Sequence, residues 1–233
     1  MIQNLTDTIA KLQEGISQCE EKYHRKRGSV QLMAVSKTQS AEKIRAAAAT
    51  GLIHFGENYL QEALDKQQQL QDLTLCWHFI GPIQANKTRS IAEHFDWVHS
   101  VDRLKIARRL SEQRPASLAP LNICLQVNIN NEASKSGVAL GGLDELASLV
   151  AQLPNLTLRG LMAIPEASKS PEQQRENFAK VQVAFKQLQQ HHPALDTLSM
   201  GMSGDYPAAI AEGSTFVRIG TQLFGPRQNP VTS

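Results

Sequence analysis

Leu121-Asn122-Ile123-Cys124-Leu125-Gln126-Val127-Asn128-Ile129 alternates apolar and polar residues without a break. Successive side chains of a strand point to opposite faces. Leu121, Ile123, Leu125, Val127 and Ile129 therefore share one side, and Asn122, Cys124, Gln126 and Asn128 the other. The apolar side suits helices packed against a sheet. In a closed barrel the polar side would face the lumen or a ligand.

The chain on either side of this strand repeats one unit. Residues 2–23 carry a single apolar stripe, Ile2, Leu5, Ile9, Leu12, Ile16, Cys19 and Tyr23, which predicts a helix. Strands are expected at 30–36, 52–55, 76–80 and 96–101. Helices follow them: 40–50, capped by Ser40 and stopped by Gly51; about 56–71; 84–94; and one capped by Asp102 that carries Leu104, Ile106, Ala107 and Leu110. Beyond the alternating strand come a helix at 141–153 and a strand at 157–163. Ser170-Pro171-Glu172-Gln173 then combines an N-cap, an N1 proline and a capping-box glutamine. The helix it opens buries Phe178, Val181, Phe185 and Leu188. Strands at 197–200 and 215–219 flank a short helix at 205–212.

Eight strands alternating with helices imply parallel strands and right-handed crossovers. With no linker to split them, the expectation is one domain over residues 1–233. Its fold class is α/β, a (β/α)8 TIM-type barrel with an extra N-terminal helix, preferred to an open doubly wound sheet. Pro226 and Pro230 leave little room for a last helix, so the N-terminal helix is expected to cover that side.

Bulk properties narrow the function. A net charge of +2 gives no electrostatic case for nucleic acid or an acidic membrane. The one dense basic cluster, Lys22 to Arg27, reads as a solvated loop. Cys19, Cys76 and Cys124 are odd in number and lack a Cys-x-x-Cys spacing, which suits reduced thiols. The N-terminus reads as an amphipathic helix rather than a signal peptide, and no apolar run approaches a membrane span. A cytoplasmic location is the expectation.

The chemistry gathers at strand ends. Met33-Ala34-Val35-Ser36-Lys37-Thr38 places a lysine where the first strand runs out. An amine at the mouth of a buried strand is available for Schiff-base chemistry once desolvation lowers its pKa. In barrels, phosphate is commonly held by the loops after strands seven and eight. Here those are Ser199-Met200-Gly201-Met202-Ser203-Gly204-Asp205 and Arg218-Ile219-Gly220-Thr221. Glycines let backbone N–H groups approach an anion, so Ser203, Gly204, Gly220 and Thr221 are the candidate contacts. A lysine beside such a cradle fits either a pyridoxal 5'-phosphate (PLP) aldimine or an aldolase intermediate with a sugar phosphate. Arg218 favours PLP, because a cation at the pyridine nitrogen withholds the proton that would make the ring a strong electron sink.

Several blocks carry a family resemblance: Ala-Val-Ser-Lys-Thr at 34–38, Phe-Gly-Glu-Asn-Tyr at 55–59 and Trp-His-Phe-Ile-Gly-Pro-Ile-Gln-Ala-Asn-Lys at 77–87. Gln-Val-Asn at 126–128, Lys-Ser-Gly at 135–137 and Arg-Gly-Leu-Met-Ala at 159–163 extend it. Gly-Met-Ser-Gly-Asp at 201–205 and Val-Arg-Ile-Gly-Thr at 217–221 complete it. In this order the blocks resemble the YggS/PROSC family, the pyridoxal phosphate homeostasis proteins, over nearly the whole chain. The resemblance implies a barrel like the N-terminal domain of alanine racemase, with PLP as its ligand. It implies Lys37 as the PLP-linked lysine, in a covalent aldimine. It further implies Ser203, Gly220 and Thr221 as phosphate contacts and Arg218 as the pyridine-nitrogen partner. Asn58, His78 and Ser199 lie in matching blocks and are expected to line the pocket.

Other residues invite other readings. His54, His78, His94 and His99 fall on separate elements without metal-ligand spacing, so no metal site is expected. Lys135 is the rival reactive lysine, and Lys87 sits on a helix start. Asp205 reads as a first-turn carboxylate. The function implied is uptake, shielding and delivery of PLP to PLP-dependent apoenzymes, without strong catalysis. An amino-acid racemase would need a second acid–base group opposite Lys37. Tyr23, Tyr59 and Tyr206 are poorly placed to supply it. A class I aldolase on Lys37 is the third reading. A monomer is expected, since the racemase-type second domain is missing.

Overall fold

The computed structural model describes residues 2–129, 136–166, 168 and 170–225. Its strands are β1 (Gln31–Val35), β2 (His54–Glu57), β3 (Cys76–Phe79), β4 (Trp97–Val101), β5 (Leu121–Asn128), β6 (Val138–Ala139), β7 (Leu156–Ala163), β8 (Thr197–Ser199) and β9 (Phe216–Ile219). All pair in parallel, in the order β4-β3-β2-β1-β9-β8-β7-β5, and β4 pairs with β5 to close the ring. Eight strands make the barrel. The two-residue β6, absent from the sequence expectation, adds to the end of β5 at Val127 and Asn128. The expected seventh and eighth strands are thus β8 and β9.

The alternation of β5 maps onto the barrel wall as expected. Leu121, Ile123, Leu125 and Val127 pack in the large cluster between the strands and the surrounding helices. Cys124 belongs instead to an inner cluster with Met33, Trp97, Met162 and Phe216. The lumen is therefore packed in its lower half, and the polar ends of β5 open at the top.

The helices are α1 (Ile2–Lys22), α2 (Ala41–Ala48), α3 (Leu60–Gln69), α4 (Thr88–His94), α5 (Leu104–Gln113), α6 (Leu143–Ala151), α7 (Pro171–His191), α8 (Tyr206–Ala211) and α9 (Thr221–Phe224). The last is a single turn, and α1 lies across α2, α8 and α9, covering the side left thin. Ser170 caps α7 by accepting from the Gln173 N–H at 3.3 Å. The Gln173 side chain turns to Glu176, so the reciprocal half of the capping box is not made. Asp102 does not cap α5: Arg103 holds that position, and Asp102 pairs with the Arg103 guanidinium at 2.6 Å. The basic cluster after α1 is also more than a solvated loop. Arg25 reaches across to the carbonyls of Ile210 and Ser214 and ties α1 to the α8–β9 turn.

Among the described residues no helix is long and apolar enough to cross a membrane.

Candidate functional site

Register places Lys37 beside the expected cradle. On the paired strands β1 and β9, Met33 stands opposite Arg218 and Ala34 opposite Ile219. Lys37 follows three residues after Ala34, and Gly220 and Thr221 directly after Ile219. Met33 faces the lumen, and Lys37 lies in the turn two residues beyond the end of β1. Lys37 is half-buried.

The loop carrying Lys37 is held from behind by a buried charge cluster. Lys66 on α3 donates to the Ser36 carbonyl at 2.7 Å, to Glu57 Oε1 at 2.8 Å and to Glu62 Oε1 at 2.5 Å. Ser36 Oγ donates to the same Glu57 oxygen at 2.6 Å, and the Thr38 N–H donates to Glu62 at 2.5 Å. Burial pushes the Glu57 carboxyl up, and the Lys66 charge opposes that shift. Thr38 takes a φ of 64°, uncommon for a β-branched residue. The residues on either side of Lys37 are thus fixed by Glu57, Glu62 and Lys66, which sequence reading missed. Glu57, Glu62 and Lys66 lie on one strand–helix unit, but which carboxylate meets the lysine depends on how α3 docks.

Arg218 lies at the floor. It is buried, and it donates through Nη1 to the Ser199 carbonyl and hydroxyl at 2.5 and 2.9 Å, and through Nη2 to the Ala163 carbonyl at 2.9 Å. Burial lowers its pKa to about 10, which still leaves it cationic at neutral pH. A guanidinium has five N–H donors, so two remain for an acceptor placed above it. Ser199 is therefore a partner of Arg218, fully buried on β8.

Beneath Arg218 the lumen holds histidines. His54 Nδ1 lies 3.0 Å from His78 Nε2, and His78 Nδ1 lies 2.9 Å from His99 Nε2. Burial pulls His78 well below its ordinary pKa and His99 down to about 3, with the neighbouring Arg218 adding to the latter. These histidines come from three adjacent strands, β2, β3 and β4. The histidines do fall on separate elements, His94 on α4, but pairing of β2, β3 and β4 brings the other three together. His78 is wholly buried in this stack, below the open end of the barrel.

The open end holds a cavity of about 300 Å³, lined among others by Asn58, Ile80, Gln126, Asn128 and Ile164. Asn58 Oδ1 is buried there without a partner. Gly81 makes the neighbouring loop fit, because a Cβ at that position would stand 2.2 Å from the Asn58 carbonyl oxygen.

The β8–α8 loop turns tightly. Gly201 has a φ of 95°, and Met202 donates its N–H to Asp205 Oδ1 at 2.6 Å. Asp205 thus braces the loop. Among the described residues no acceptor takes the N–H of Ser203 or Gly204, and space above Gly204 is open, since a Cβ there would meet nothing within 4 Å. Of the expected site residues Asn58 is the one in the cavity lining; its buried orphan oxygen, the free N–H groups at an open glycine and the buried Arg218 cation are group types that suit a flat, anionic ligand with a ring acceptor. PLP fits these residues. Lys135 lies outside the described residues.

Comparison with known proteins settles the lineage. The family description "Alanine racemase, N-terminal domain" matches residues 9–228. The pyridoxal phosphate homeostasis protein of Pseudomonas aeruginosa is 60% identical over 223 residues, 96% of each chain. Its Escherichia coli counterpart is 50% identical over 227 residues, 96% of this chain and 97% of that one. The chain belongs to the pyridoxal phosphate homeostasis protein family. Among solved structures, PipY of Synechococcus elongatus, described with PLP bound, is similar at 39% identity and a TM-score of 0.83, over 95% of this chain and all of that one. Alanine racemase of Corynebacterium glutamicum shares the fold at 18% identity and a TM-score of 0.69. This chain covers only 63% of that racemase. The family and its racemase-like barrel are those the sequence blocks implied.

Proposed function

We propose that the chain is a single PLP-binding barrel, residues 1–233, that holds the cofactor as a reversible Schiff base on Lys37 for storage, shielding and delivery. The observation that carries this reading is the β1–β9 register, which brings Lys37 to the same barrel rim as Gly220 and Thr221. PLP, when bound, supplies an aldehyde for an amine and an electron-withdrawing ring. The remaining chemistry belongs to the protein.

Ser203, Gly204, Gly220 and Thr221 offer N–H and hydroxyl donors to a phosphate. Asn58 uses its unpartnered oxygen, or its amide after a flip, on a ring substituent. Arg218 donates to a ring nitrogen and stays charged, so it gives a hydrogen bond without giving up its proton. Ser199 orients Arg218 directly, and His78 acts through His99 under it. Carbanion chemistry at the ring is thereby disfavoured, which supports a carrier with little catalysis rather than a racemase. Tyr206 is spoken for elsewhere, its ring lying against Gly15 of α1.

The protein then works in the cytoplasm as a monomer, with PLP-dependent apoenzymes as recipients. The test is the visible spectrum of the purified full-length protein before and after borohydride, with peptide mapping of the reduced adduct. A yellow protein labelled at Lys37 is expected. A protein that stays colourless with added PLP, or a label on another lysine such as Lys135, overturns the assignment. Robust racemisation of an amino acid by the same sample overturns the carrier role. Sedimentation checks the monomer, and transfer to an apoenzyme across a dialysis membrane separates release from contact delivery.

A further inference from the structure

The end of the barrel opposite the rim carries a second set of functional groups. His54 and Cys76 open β2 and β3 and are directly paired across the ladder, and His78 lies two residues further along β3. All three side chains project into the lumen. One ligand atom of each, an imidazole nitrogen from either histidine and the Cys76 sulfur, lies within 4.8 Å of the others. We propose that His54, Cys76 and His78 form a binding site for a zinc-class cation, with the fourth position left to water.

The donor set and its surroundings carry this. Two imidazoles and a thiol are borderline-to-soft ligands, which select Zn²⁺ and its neighbours over Mg²⁺ or Ca²⁺. Tetrahedral zinc with ordinary bond lengths spaces its nitrogen and sulfur ligands by ~3.4–3.7 Å. The two nitrogens stand at 3.0 Å and part by a few tenths of an ångström, a matter of ring rotation. His78 also has the second contact that metal-bound histidines use, its Nδ1 facing His99 Nε2 at 2.9 Å. That contact fixes the ring with Nε2 toward the site.

Charge and access agree. A thiol ligates as its thiolate, so a cation must displace the Cys76 proton. The S–H bond breaks as the metal–sulfur bond forms, and the proton leaves to solvent. Binding therefore tightens as pH rises. A divalent ion with one thiolate leaves a single positive charge, and Asp96 stands close enough to act electrostatically on both His54 and Cys76. A groove of about 260 Å³ between α1 and the barrel has His54 in its lining, at the end away from the PLP rim. The ion would pin β2 to β3 at their starts and fix the tautomer of His78, at the foot of the stack below Arg218.

The test uses the untagged full-length protein and Co²⁺ as a spectroscopic probe, then Zn²⁺. One equivalent of Co²⁺ should give visible ligand-field bands of tetrahedral strength with a sulfur-to-cobalt band in the near ultraviolet, and Zn²⁺ should bleach both. Cys76→Ser should lose the sulfur band, and His54→Gln should weaken binding at least tenfold in competition with a chromophoric chelator. Both variants keep side-chain size, and a melting curve without metal confirms that they fold. Zn²⁺ should raise the melting temperature of the parent and not of Cys76→Ser. Absence of a sulfur band, or its survival in Cys76→Ser, overturns the site. So does loss of binding on replacing His191, an exposed histidine at the end of α7.

Discussion

At the residue scale, Lys37 and Arg218 divide the proposed work between covalent capture and ring electronics. Lys37→Ala should abolish the borohydride-trapped adduct and raise the Kd for PLP by more than tenfold, about 1.4 kcal/mol or more, while the phosphate donors keep some binding. Equilibrium dialysis with mass spectrometry measures both. Arg218→Gln keeps donors for the Ser199 and Ala163 carbonyls but removes the cation. Hydrogen bonds from a charged group are worth about 1.5–3 kcal/mol, so urea unfolding should show a loss in that range. Lys37 and Arg218 were both legible in the sequence, since each ends a strand beside a glycine or a turn. The partners of Arg218 were not. Ser199 and Ala163 belong to strands β8 and β7, and the sheet order sets those next to β9.

At the scale of elements, the loop between β1 and α2 takes its shape from α3. Removing one partner of a buried ion pair costs about 3–5 kcal/mol, because the other charge stays buried. Lys66→Ala should therefore destabilise the protein by about that much, leaving Glu57 without its cation. It should also slow adduct formation at Lys37, since residues 36 and 38 lose their anchors. Stopped-flow absorbance after mixing with PLP reads this, and an unchanged rate in a folded variant would remove Lys66 from any positioning role. Gly81→Ala tests the adjacent pair of loops. Its methyl group would collide with the Asn58 backbone, so PLP affinity should fall while the Lys37 adduct still forms. Helix limits were largely readable from periodicity and punctuation, but α3 starts at Leu60 rather than at about 56, because Gly56 and Glu57 continue β2 in register with β3. Asp102 was misread as a cap because capping depends on the backbone angles at Arg103, and the residue types alone do not determine those.

Across the whole molecule, the histidine stack gives stability a pH dependence of definite sign. His78 and His99 have folded pKa values below the ordinary 6.5, because burial penalises their charged forms. The unfolded chain binds the extra protons, so stability falls as pH drops below 6.5 and is unaffected by them above it. Each wholly buried histidine contributes about 1.4 kcal/mol per pH unit in that window. Urea midpoints at pH 7, 6 and 5, taken with a chelator present, should fall steadily, and His99→Gln should flatten the slope by about one proton. The sequence by itself determined the strand–helix rhythm, the number of barrel strands, the amphipathic face of β5 and the strand-end motifs. All of these are local patterns of period and punctuation, readable because side-chain direction follows from backbone geometry. Only the tertiary structure decided which residues from distant strands meet. The Glu57–Lys66 clamp arises from how α3 docks on β2, and the carbonyl cage of Arg218 and the His54–His78–His99 stack from parallel register between neighbouring strands, which aligns residues that no spacing along the chain connects.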